Sequence, residues 1–152
     1  MKAEQIWKKI CVFKGKKMTV EQIRDSIAYC GLICCLCSVD GNCDCRTKNH
    51  CGRKASPEGC FQYTCCREKG LNGCWECPVF SSCDKDMFDG RLRLKTFVKC
   101  IKEDGLDDFA GYILRNHENG VLYHRNGCTG DYDLETEEEI LHLLRTGKKQ
   151  RN

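Results

Sequence analysis

Residues 30–83 read CGLICCLCSVDGNCDCRTKNHCGRKASPEGCFQYTCCREKGLNGCWECPVFSSC and hold thirteen of the chain's sixteen cysteines. The reading of this stretch decides the fold. Its larger apolar residues, Leu32, Ile33, Leu36, Val39, Phe61, Tyr63, Leu71, Trp75, Val79 and Phe80, are too few to offset the entropy of ordering so many loop residues. Cross-links must then do what a core does elsewhere, and the two options are disulfides and bound metal. The opening MKAEQIWKKICVF lacks the ~7–15-residue apolar run of a secretory signal, and no stretch reaches the ~20 apolar residues of a membrane span. The expected location is the cytoplasm, where thiols stay reduced, so thiolate ligation of metal is favoured over disulfides.

Zinc takes four soft ligands in a tetrahedron, and a two-residue gap between cysteines lets one tight turn aim both sulfurs at the same ion. Cys34 with Cys37 and Cys74 with Cys77 have that gap. Cys30, Cys43, Cys45, Cys51, Cys60, Cys65 and Cys83 complete a candidate ligand set large enough for two zinc sites, and the spacings permit several groupings. Cys35, Cys66 and Cys128 are spare thiols in this reading, and His50 beside Cys51 is a second-choice ligand able to complete a three-cysteine site. The run Cys30-x3-Cys34-x2-Cys37 is also the spacing with which radical enzymes that cleave S-adenosylmethionine hold a four-iron cluster, and Cys77-Pro78 matches the end of ferredoxin-type motifs. A radical enzyme needs a partial barrel of alternating strands and helices, which this chain of 152 residues has neither the length nor the alternation to build. An iron–sulfur cluster nonetheless stays open as the alternative to zinc, because thiolates bind both.

The opening Tyr29-Cys30-Gly31-Leu32-x-Cys34-x-x-Cys37, the cysteine pair near 43, Cys60-x4-Cys65 followed by Arg67-x-Lys69-Gly70, and Cys74-x-x-Cys77-Pro78 with a closing Cys83 resemble a bacterial and archaeal family of small cysteine-rich domains. That family is of unknown function and is taken to bind zinc. The resemblance extends into the C-terminal half, through AGYILRNHENGVLYHR and GDYDLETEEEI, and implies metal binding and nothing narrower. Where the family commonly has Cys-x-x-Cys around a glycine, this chain has Cys43-Asp44-Cys45, and the one-residue gap changes the bite of that pair.

The flanks carry helical periodicity. Ala3, Ile6, Ile10 and Phe13 predict a first helix over 2–13, followed by the loop KGKK; Thr19 with Gln22 forms a capping box for a second helix, with Val20, Ile23 and Ile27 inward, reaching about Tyr29. Leu94, Phe97, Val98 and Ile101 predict a helix stopped by Gly105. Leu106, Phe109, Ala110, Ile113 and Leu114 predict its antiparallel neighbour, which NHENG ends. GVLYHR at 120–125 is β-prone, and Thr136 with Glu139 caps a last helix bearing Ile140, Leu143 and Leu144, closed by Gly147. Cys11 and Cys100 lie in helices and read as small core residues; His117 and His142 carry no functional signal. The expected fold is therefore mainly α with a metal-stapled irregular module, with a small α+β variant through 120–125. Its parts are N-terminal helices (1–29), the cysteine-rich module (30–83) and a C-terminal helical part (84–152), packed as one compact domain.

The formal charge of +3 assumes neutral thiols, and since each four-cysteine zinc site changes the charge by about −2, two sites would remove the basic excess. Lys and Arg are scattered, KGKK and the terminal KKQRN are solvated clusters, and a protein partner is expected over nucleic acid. Tyr123, His124, Asp131 and Asp133 suggest a base with a carboxylate pair, and Cys128 a nucleophile, but they sit among turn sequences where aspartates cap backbone amides, so the structural reading is preferred. The functional expectation is a metal-binding, non-enzymatic protein in an interaction or regulatory role. Redox or maturation chemistry on an iron–sulfur cluster is the alternative, and thiol chemistry or metal trafficking the third.

Overall fold

The computed structural model describes residues 18–37, 46, 60–124 and 129–149. The expected helix over 2–13 with Cys11, the KGKK loop, Cys43, Cys45, His50, Cys51 and Cys128 lie outside the described residues. What is described is mainly helical.

Helix α1 spans Val20–Ser26 and opens on the expected box: the Thr19 hydroxyl accepts from the Gln22 amide at 3.1 Å and the Gln22 side chain accepts from the Thr19 amide at 2.9 Å. It stops three residues short of Tyr29 because Ile27 turns extended and pairs with Ile33 in an isolated antiparallel bridge. Between them the chain reverses tightly, Ala28 N–H donating to Leu32 O at 2.7 Å. Gly31 in this turn has φ +89, and a Cβ there would lie 3.3 Å from Val98 Cγ2, so both the backbone and the space select glycine. The short helix α2, Cys34–Cys37, follows.

Helix α3, Phe61–Lys69, lies inside the segment expected to be knuckles and turns. Its first amide, of Phe61, donates to the Asp86 carboxylate at 3.1 Å. Gln62 is buried and ties the helix to the turn at Asp86–Phe88: its amide donates to Lys85 O at 2.7 Å and its carbonyl accepts from Met87 N at 3.3 Å. Single 3-10 turns at Cys74–Glu76 and Phe80–Ser82 carry the chain from α3 to that point.

Helix α4, Leu92–Asp104, is the hub. It packs on α5 (Leu106–Glu118), on α6 (Glu137–Thr146) and on the turns at 74–76 and 86–88, while α1 packs on α5. The stripes read from sequence face inward: Leu94, Phe97, Val98 and Ile101 on α4, Phe109, Ala110 and Ile113 on α5, and Ile140, Leu143 and Leu144 on α6 are all buried. Phe97 meets Phe109 and Tyr132 edge-on at 5.5 and 5.4 Å and stacks near Tyr123 at 6.3 Å. Gly105 alone separates α4 from α5, and Thr136 caps α6, accepting from the Glu139 amide at 3.2 Å. Asn116 is fully buried and fastens α5 to the rest through Tyr132 OH and Leu143 O, both at 3.0 Å.

Two expectations are corrected. Residues 120–124 form no strand, because the Leu122 amide donates to the Asp131 carboxylate at 2.7 Å and its carbonyl accepts from Asp131 N at 2.8 Å, closing a local loop instead of a ladder. Nor is the cysteine-rich segment without a core. Leu32, Ile33, Leu36 and Phe80 are buried in the same cluster as Leu94, Phe97 and Val98, borrowing apolar cover from the helices.

Candidate metal centre

The site is assembled by α3, the 27–33 turn and the 3-10 turn at 74–76. On α3 only Gln62 and Cys66 are buried, four residues apart on one face. Cys65 lies about 100° round the helix, half-buried beside Lys69. The Cys74 amide donates to Tyr29 O at 2.8 Å, which draws the 74–76 turn against the residue before Cys30. Trp75 folds back over Gly73, where a Cβ would stand 2.2 Å from the ring.

Cys66 Sγ and Cys74 Sγ come to 3.7 Å, both buried. Two sulfurs on a tetrahedral zinc with ~2.3 Å bonds would be about 3.8 Å apart, so this pair has the span of one ligand edge. The sharing of one proton makes the two thiols unlike. Donation from Cys74 lowers the Cys66 thiol against the opposing effect of burial, with Arg46 and Lys69 adding positive potential. The Cys74 thiol is pushed up by Cys66 first, then by burial, and then by the nearby sulfurs of Cys30 and Cys83. A cation at this point would favour the thiolate form of both groups. Arg46 is anchored beside the pair, donating to Ile27 O and Asn72 O at 3.0 Å each, with its guanidinium 4.3 Å over the Tyr29 ring.

Of the expected ligands, Cys74 stands in this pair, and Cys30 and Cys83 lie near enough to act on it electrostatically. Cys65 and Cys77 raise the Lys69 ammonium. Cys34 and Cys37 sit at the two ends of α2, the first buried and the second half-buried. Cys60 is buried and directs its thiol to Gln62 Oε1 at 3.8 Å. Cys66, counted as spare from sequence, is the residue paired with Cys74. Cys66 shares a helix face with Gln62, a relation that only the helical phase of α3 reveals, and Gly70 closes that helix with φ +71. Among the described residues no three His, Cys, Asp or Glu side chains form a group that holds a metal as they stand.

The remaining candidates make contacts within the fold. Burial raises the Cys35 thiol and pushes Cys100 up to about 12, which removes both as reactive thiolates at neutral pH. Tyr123 is buried, and its hydroxyl accepts from the Ile33 amide at 2.9 Å. Asp131 caps Leu122 and pairs with Lys149 at 3.2 Å. Asp133 accepts from Gly130 N at 2.8 Å, from His124 Nδ1 at 2.7 Å and from Arg93 Nη1 at 3.0 Å. Burial alone would raise the Asp133 carboxyl, but the Gly130 amide, His124 and Arg93 together hold it below the usual carboxylate range. No helix among the described residues is long and apolar enough to cross a membrane.

Comparison with protein-family models, with curated proteins and with solved structures finds no match to the chain.

Proposed function

We propose that this chain binds zinc through cysteine thiolates in a structural, non-enzymatic role, with Cys66 and Cys74 on one ion, completed from Cys30 and Cys83, and with a protein partner for the folded surface. The observation that carries the reading is the 3.7 Å approach of two buried sulfurs, one of which is already polarised toward thiolate. Such a pair in a reducing compartment gains most from a divalent cation, which converts mutual repulsion into shared attraction. A second four-ligand site is part of the proposal, drawn from the other thiolates of the segment.

Anaerobic purification of the full chain with quantification of zinc, iron and sulfide tests this. About two zinc ions per chain and no visible absorbance are expected. Cys66→Ser should lose about one equivalent. Metal-free protein with an unchanged melting curve would end the zinc reading. Iron with matching sulfide would move the function to cluster chemistry, with Cys30, Cys34 and Cys37 as the first residues to replace.

A further inference from the structure

Cys66 and Cys74 close a stretch of chain that hydrogen bonds fix at both ends and in the middle. Gln62, one turn ahead of Cys66, fastens α3 to Lys85 O and to the Met87 amide. The Leu71 amide donates to Cys66 O at 2.8 Å, which folds the chain leaving α3 back onto that cysteine. Asn72 gives its amide to Glu76 Oε1 at 2.8 Å and its side chain to Glu76 Oε2 at 3.2 Å, while Arg46 Nη2 donates to Asn72 O at 3.0 Å. Tyr29 O holds the Cys74 amide at 2.8 Å. A backbone fixed at these points brings the two sulfurs to 3.7 Å.

That separation lies between two bonded states. Zinc would hold the sulfurs about 3.8 Å apart, and a disulfide would hold them ~2.05 Å apart. Closure asks for an approach of about 1.6 Å, which rotations of roughly 30° about the Cα–Cβ bonds of the two cysteines can supply. A sulfur in a disulfide has no thiolate left for a metal, so the two states exclude each other. With Cys66 1% and Cys74 7% exposed, the oxidant must be small, and a hydroperoxide fits where a bulky disulfide does not.

We propose that Cys66 and Cys74 form a redox switch, sharing zinc while reduced and closing into a disulfide under a hydroperoxide. It rests on the zinc reading of the same pair. One sulfur attacks a peroxide oxygen, the O–O bond breaks, and the departing oxygen leaves with a solvent proton as water or alcohol, giving a sulfenic acid. The other sulfur attacks the sulfenic sulfur, the S–O bond breaks, and hydroxide leaves as water with a second solvent proton. Two electrons pass from the sulfurs to the peroxide, and zinc departs as the hydrated ion. The fixed backbone makes the second attack intramolecular and well aimed, which protects the first sulfur from further oxidation. A dithiol restores both thiols by exchange and ends as a cyclic disulfide.

The test uses the full chain, purified anaerobically and metal-loaded. One equivalent of hydrogen peroxide is added, released zinc is read with a chromogenic indicator, and free thiols are blocked in denaturant before reduction and a second, heavier label. Release of about one zinc equivalent is expected, with the second label about tenfold higher on Cys66 and Cys74 than on any other cysteine, and with both effects reversed by dithiothreitol and added zinc. Urea before the peroxide should abolish that selectivity. Cys74→Ser should carry Cys66 on to sulfinic acid, which dithiothreitol does not reverse; should this variant not fold, the label map of the unaltered chain decides. Zinc retained under peroxide, the second label on another pair such as Cys65 with Cys77, or the same map in urea would each overturn the switch and leave the zinc reading standing. A reduced chain that carries no zinc would overturn the zinc reading and the switch with it.

Discussion

In the helices from Leu92 to Thr146 the inward positions are filled by large apolar side chains, and Phe97 alone meets three aromatic rings. In the segment from Cys60 to Cys83 the inward positions are Cys60, Gln62, Cys66, Cys74 and Phe80. Both regions share one cluster, yet they are held differently. Burying a Phe or Leu is worth ~1.5–3 kcal/mol, whereas the hydrogen bonds of Gln62 contribute ~1 kcal/mol each net of water. Apolar burial dominates in the helices; in the cysteine segment polar contacts define the shape, and apolar cover comes from the neighbouring helices.

That contrast can be broken by experiment. Phe97→Ala should cost ~3–5 kcal/mol in urea denaturation, with the same loss in the presence of a zinc chelator, because the cavity it leaves lies among Phe109 of α5, Tyr123 and Tyr132. A loss that vanished on chelation would mean the helical core depends on the cysteine segment, reversing the relation drawn above. Gly31→Ala lies on the seam, forcing a Cβ onto Val98 at a φ of +89, and should cost ~1–3 kcal/mol. If it also released metal, the seam would be shown to position the thiols; release is expected, since Gly31 adjoins Cys30.

The smallest effect belongs to the helical surface. Arg145, at 2.8 Å from Asp104, lowers the Asp104 carboxyl, burial opposes this, and Tyr112 OH at 3.0 Å adds to the lowering. A depressed carboxyl contributes stability that is present above its unfolded value of ~4 and fades as pH falls through the lower folded value. With Arg145 over a third exposed, screening limits the pair, so Asp104→Asn should cost about 1 kcal/mol or less at pH 7 and nothing measurable once pH is below both values. An equal cost at both extremes would assign the effect to packing.

The same contrast governs what could be read from sequence. Thr19 with Gln22, Thr136 with Glu139, and the stripes of α4, α5 and α6 are local patterns whose meaning does not depend on distant residues, and they appear as read. Helix α3 was missed because its buried face is Gln62 and Cys66 while Phe61 is exposed, the inverse of an amphipathic stripe. The pairing of Cys66 with Cys74 depends on that helical phase, so it was illegible once the helix was missed. His124, Asp133 and Arg93 converge across 40 residues, a relation that spacing does not encode. The β-prone 120–124 was overruled by a side chain: Asp131 claims the amide that a neighbouring strand would have needed.

The buried bond from the Ile33 amide to the Tyr123 hydroxyl joins positions 90 residues apart. At ~5–20 residues per second of synthesis, Ile33 waits roughly 5–20 s for its partner to be made. During that interval the turn carrying Cys30 and Cys34 has emerged from the ribosome without the helices that later cover it. The core that covers this turn can therefore close only after synthesis has passed Tyr123.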